Sequence, residues 1–90
     1  MKLKNYMEDA VHYALEEMLA KRTNVCKCSR CKLDIMAYAL NHLPAKYVVT
    51  DKGHTYTRVA EMAQQFNADL VVAISKGMKH VARNPRHEGA

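Results

Sequence analysis

Every cysteine of this 90-residue chain lies in one six-residue run, Cys26-Lys27-Cys28-Ser29-Arg30-Cys31. A lone thiol can be core filler, but three packed this closely are poorly explained by burial. Thiolates converge on a soft metal ion because each forms a strong bond, and short spacing keeps the loop-closure cost low. The run therefore reads as three ligands of a structural zinc site, Cys26, Cys28 and Cys31. A fourth ligand has to come from elsewhere, and it ties the ends of the fold together. Such a staple suits a single domain spanning residues 1–90, which buries a modest fraction of its surface and gains from a metal or a partner chain.

The charge balance is basic, 14 Lys and Arg against 9 Asp and Glu, for a net charge of +5. That favours an anionic partner such as a nucleic acid, a nucleotide or a phosphorylated surface, without choosing among them. Met1-Lys2-Leu3-Lys4 is basic, but Glu8 and Asp9 interrupt any apolar run, so no secretory signal is expected. No apolar stretch approaches the roughly 20 residues of a membrane span, so no membrane partner is expected. An odd number of cysteines fits a reducing compartment better than a disulfide framework, and a cytoplasmic location is expected.

Apolar periodicity sets out the elements. Met7, Val11, Ala14, Leu15, Met18 and Leu19 fall at helical spacing between Asn5 and Arg22, with the acids early and Lys21-Arg22 last, as the helix dipole prefers. Ser29 is the expected N-cap of a second helix that runs to about Leu43. Its stripe is Leu33, Met36, Ala37, Leu40 and Leu43, widened by Ile35, Tyr38 and Ala39, so this helix is expected at the centre. Pro44 ends it. Tyr47-Val48-Val49-Thr50 reads as extended, followed by a turn signal at Asp51-Lys52-Gly53 and at most a minimal hairpin back through His54-Thr55-Tyr56. Val59, Ala63, Phe66, Leu70, Ala73, Gly77 and Val81 keep one phase, which predicts a single helix from about Tyr56 to Ala82. At 1.5 Å per residue that is about 40 Å, longer than a domain of this size, and so predicts a homodimer. The fold expected is all-α: a small helical domain with a Cys-rich metal knuckle, a short loop or minimal hairpin, and one long C-terminal helix.

Cys28 and Cys31 lie on one side of the first turn of helix two, and Cys26 can close a third corner. The helix N-terminus, with Lys27, Arg30 and Lys32 around it, is expected to lower the thiol pKa values. Histidine is the usual completing ligand in a three-cysteine site. His87, just past Pro85, is favoured, with His80, His54, water or a partner chain as alternatives, while His12 and His42 read as ordinary helical residues. A redox cluster is the competing reading of the thiols. An iron–sulfur cluster wants four thiolates, and a catalytic zinc wants a base that the local sequence lacks. With no Gly-rich phosphate loop and no nucleophile elbow, no enzyme is expected.

Cys26-x-Cys28-x-x-Cys31-x-x-Asp34, then Ala37-x-Ala39-Leu40-Asn41-x-Leu43-Pro44, then Tyr47-Val48-Val49-Thr50 and Gly53, resemble the late competence protein ComFB family. The resemblance covers most of the chain. It implies a small helical homodimer with zinc near the cysteines. It also implies a receptor for a cyclic dinucleotide, cyclic di-GMP ahead of cyclic di-AMP, that acts on motility, competence or cell size through an unidentified protein partner. Where a relative supplies a fourth cysteine from its tail, this chain offers His87 after Pro85-Arg86. For such a ligand Lys46 and Tyr47, with Arg83 and Arg86, supply cations for two phosphates and a ring for a purine. Each has a plainer role open to it, because Arg83 and Arg86 also suit the carbonyls at a helix end and Tyr47 suits a core. Asp34 and Asn41 read as capping or supporting partners. The alternative function is a basic nucleic-acid-associated or adaptor protein of competence, its zinc purely structural. Lys21, Arg22, Lys27, Arg30, Lys32 and Lys79 would then face phosphates. With only 7% aromatic residues and no reading motif, a DNA partner is not favoured.

Overall fold

Asn5 organises the start of the fold. Its side-chain Oδ1 accepts from the Met7 amide at 3.2 Å, capping α1 (Tyr6–Ala20), and from the Lys46 amide at 3.0 Å. One amide side chain thus starts a helix and fixes the chain 41 residues further on. The structure is a computed structural model that describes residues 2–23, 25–50 and 64–83. Over these residues the elements are β1 (Lys2–Asn5), α1, α2 (Ser29–Asn41), β2 (Tyr47–Thr50) and α3 (Asn67–Arg83).

Tyr47–Thr50 is a strand, as its β-branched residues favour, and among the described residues its partner is β1. It pairs antiparallel with β1, in the register Lys2–Thr50, Leu3–Val49, Lys4–Val48 and Asn5–Tyr47. The returning segment His54-Thr55-Tyr56 lies outside the described residues. The Tyr6 amide continues the ribbon by donating to the Lys46 carbonyl at 2.7 Å. Leu3, Tyr47 and Val49 stand exposed on it.

The core is helical. From α1 it takes Met7, Ala10, Val11, Ala14, Leu15 and Leu19, nearly the stripe read from periodicity. From α2 it takes Cys31, Ile35 and Ala39, one residue every four. The expected stripe is therefore rotated, since Leu33 is 62% exposed and Ala37 faces outward, while Met36, Leu40 and Leu43 are partly buried. Helix two packs against both of the other helices, and α3 comes close to it at Gly77. A Cβ at Gly77 would stand 3.1 Å from the Ile35 carbonyl oxygen, so glycine is what lets the two backbones approach.

Two helix boundaries also move. The N-cap of α2 is Cys28, whose Sγ accepts from the Cys31 amide at 3.4 Å, and Ser29 is the first helical residue. The last helix is not continuous back to Tyr56: Gln64 and Gln65 are helical, Phe66 is a turn, and its carbonyl accepts from the Leu70 amide at 3.0 Å to open α3. Asn67 and Asp69 sit in the first turn, where short polar and acidic side chains are favoured. Apolar phase alone does not register a one-residue interruption. At 17 residues α3 is about 25 Å long, so helix length within the described residues no longer argues for a second chain. From Leu70 onward the predicted face holds, with Leu70, Ala73, Ile74, Gly77, Met78 and Val81 all buried.

Candidate functional site

The chain leaves α1 at Ala20 and enters α2 at Ser29, and this connection carries Cys26 and Cys28, with Cys31 in the first turn of α2. The three Sγ atoms lie within 4.8 Å of one another, the one group of three or more ligating side chains among the described residues. Burial grades across the trio. Cys26 is exposed, Cys28 half-buried, and Cys31 sunk in the core with 1% of its surface accessible. Cys31 therefore anchors the site to the fold, while Cys26 stands at the solvent face.

The electrostatics run against one expectation. Burial first, and then hydrogen bonds with the Cys28 and Cys26 thiols, push the Cys31 thiol up to about 12. Desolvation and crowding of like groups outweigh the helix N-terminus for this thiol. The flanking cations are also partly committed elsewhere. Lys32 Nζ donates to Glu16 Oε1 of α1 at 3.1 Å, and Arg30 Nε lies 3.7 Å from Asp34 Oδ2. Asp34 thus supports Arg30 at the helix start. A metal cation would offset the cost of ionising the buried Cys31 thiol, and the three cysteines together could hold one.

Histidine placement narrows the fourth ligand. His12 Nε2 lies 3.6 Å from Glu16, and His42 donates from Nδ1 to the Tyr38 carbonyl at 2.7 Å. The His42 and His80 rings both stack on Tyr38, with centroids 4.3 and 4.9 Å from it. Tyr38 lies seven residues past Cys31, about 10 Å along α2, which places His80 away from the thiols. His54 and His87 lie outside the described residues.

At the other end of α2 a cleft of about 240 Å³ opens between Met7, Leu43, Pro44, Lys46, Phe66 and Asp69. The Lys46 ammonium stands 4.9 Å from the Phe66 ring centroid, a cation–π contact. Of the residues proposed from sequence for an anionic ligand, Lys46 lines this cleft, and Tyr47 is 64% exposed next to it on β2. Arg83 is exposed at the far end of α3, about 25 Å along the helix from Phe66, so one chain does not bring Arg83 to Lys46. Arg86 lies outside the described residues. Sequence reasoning misses Phe66 and Asp69 as cleft residues, since neither carries a local signal and only the packing of α3 against the end of α2 delivers them.

The arrangement defines a small helical domain built around a cysteine knuckle, with an open cleft at the opposite end of its middle helix. A family profile described as late competence development protein ComFB matches residues 4–85, and the chain belongs to that family. It is 25% identical to the competence protein ComFB of Bacillus subtilis (strain 168) over 83 residues, which cover 92% of this chain and 85% of that protein. The fold is similar to the solved structure of the late competence protein ComFB from Bacillus subtilis, with a TM-score of 0.72 at 20% identity, covering 93% of this chain and 94% of that one. No helix among the described residues is long and apolar enough to cross a membrane.

Proposed function

We propose that this chain is a zinc-stapled, dimeric signalling protein of the cytoplasm. In this reading it binds a cyclic dinucleotide, cyclic di-GMP ahead of cyclic di-AMP, and passes the signal to a protein partner in motility or competence-type behaviour. It acts by binding, without catalysis. The observation that carries the reading is the cleft in which Lys46 stands over Phe66, a cation and a ring held together beside apolar walls. Phosphate needs the first and a purine the second.

The thiols fit the metal half of the proposal. Zinc–sulfur bonds of about 2.3 Å at tetrahedral angles put sulfurs about 3.8 Å apart. Sulfurs already within 4.8 Å need only a small contraction to meet that geometry. Zinc would draw the three thiols into thiolates and fix the connection between α1 and α2, and His87 is the residue favoured to complete the set. A second copy serves two ends. It would cover Leu33, Val71 and Val72, which stand exposed on the outer faces of α2 and α3, and it would bring an Arg83 towards the cleft. A cleft of about 240 Å³ is below the roughly 300–1,000 Å³ of sites that enclose a drug-sized ligand, so it suits half of a two-fold ligand. The nucleic-acid alternative is weakened because Lys32 and Arg30 pair with acids and Asp69 lines the cleft.

Isothermal titration of the zinc-replete protein with cyclic di-GMP, cyclic di-AMP and GMP tests the proposal. Saturable binding of a cyclic species near one per dimer, without GMP binding, is the expected result. No heat and no shift in melting temperature with any of them rejects the receptor role and turns attention to DNA and protein partners.

A further inference from the structure

We infer that Asp69 is the base-reading residue of the cleft and makes it selective for guanine over adenine. The inference rests on the receptor reading above and specifies it. Asp69 sits in the first turn of α3 and lines the same cleft as Lys46, yet the two form no ion pair. Among the described residues the Asp69 side chain has neither a salt bridge nor a hydrogen bond. Lys46, by contrast, stands over the Phe66 ring. One cleft therefore presents a cation and a carboxylate that do not pair, and Leu43, Pro44 and Phe66 add apolar wall to it.

That pattern defines its occupant: a planar group with an anion at one end and hydrogen-bond donors at the other. An ionised carboxylate has two acceptor oxygens and no donor. Guanine presents two adjacent N–H donors, at N1 and the 2-amino group, which a carboxylate can accept side by side. Adenine presents one donor, its 6-amino group, beside the N1 lone pair, which a carboxylate repels. A matched bidentate pair of this type discriminates by about tenfold to a hundredfold. The carboxamide introduced by Asp69→Asn would instead offer one donor and one acceptor, the complement of the adenine edge. Asp69 is exposed, so replacing it leaves the core untouched.

The test is titration of cyclic di-GMP and cyclic di-AMP into the zinc-replete wild type, Asp69→Asn and Asp69→Ser, with melting curves as a check on folding. Wild type should favour cyclic di-GMP by about tenfold or more. Asp69→Ser should abolish most of that preference, and Asp69→Asn should abolish or invert it, chiefly by losing cyclic di-GMP. Lys46→Met should weaken both ligands by a similar factor and leave their ratio alone. If both Asp69 variants keep the wild-type ratio while binding persists, Asp69 does not read the base and this inference is overturned with the receptor role intact. If wild type binds neither cyclic dinucleotide, the receptor role falls and the inference with it.

Discussion

The two ends of α2 solve opposite problems. At its start, three thiols crowd into one corner, one of them buried and pushed towards its neutral form, and the local cations are drawn to Glu16 and Asp34. At its close, Pro44 stops the helix and the next residues are held by the chain's own hydrogen bonds. The Asn5 side chain accepts from the Lys46 amide, and the Lys46 carbonyl accepts from the Tyr6 amide. The first end is a set of donors that could hold a metal ion; the second has its backbone tied by these hydrogen bonds beside an open cleft. In the proposed function, stability rests on a metal held at the first end, and recognition falls to the second.

The strongest way to break this contrast is to withdraw the zinc that the thiols are proposed to hold. Chelation, or Cys28→Ser, should cost about 4 kcal/mol at a free-zinc level a thousandfold above Kd, a fall in melting temperature of about 15 °C or more. Scanning calorimetry with and without chelator reads this directly, and an unchanged melt would show that the cysteine end is complete by itself. Elemental analysis should find one zinc per chain in the wild type.

The opposite end can be loosened separately. Asn5→Ala removes a helix cap and the clamp on Lys46 together, and should cost about 1–2 kcal/mol by urea denaturation. Its zinc content should equal wild type. Reduced zinc in this variant would mean that the two ends are coupled through α1, contrary to the division drawn above.

The smallest effect lies on the ribbon beside the cleft. Lys4 Nζ lies 2.6 Å from Asp9 Oδ2, and that hydrogen bond, assisted by the nearby carboxylate charge, raises the lysine above its ordinary 10.5. A raised folded-state pKa contributes stability that is full below 10.5 and is lost as pH rises through the folded value. Both side chains are a third or more exposed, so solvent screening limits the contribution to about a few tenths of a kcal/mol. Lys4→Met should therefore lower the melting temperature slightly at pH 7 and by progressively less as pH rises through the folded value, and 1 M salt should erase most of the difference at pH 7.

Some of this is plain from local chemistry and some is not. The buried face of α1 follows from periodicity because its other faces carry Glu8, Asp9, His12, Glu16 and Glu17, leaving one side to bury. α2 offers no such contrast. Leu33, Met36, Ala37 and Leu40 make as good a stripe on paper as Cys31, Ile35 and Ala39, and the choice falls to Gly77, which admits the backbone of α3 against Ile35. β1 is invisible for a different reason. Lys2-Leu3-Lys4-Asn5 is short and half basic, and becomes a strand because Tyr47–Thr50 lies alongside it.

The thiol cluster and the cleft divide along the same line. Cys26, Cys28 and Cys31 must be near one another whatever the rest of the chain does, since a few residues of connection and one helical turn allow little else. Their spacing alone announces a shared ligand. Met7, Leu43, Lys46, Phe66 and Asp69 come from separate stretches of chain, and no pattern in any one of them marks a cleft. They meet because α3 starts beside the end of α2 and Asn5 pins the segment after Pro44 against α1. Short-range covalent reach settles the first site; only long-range packing creates the second.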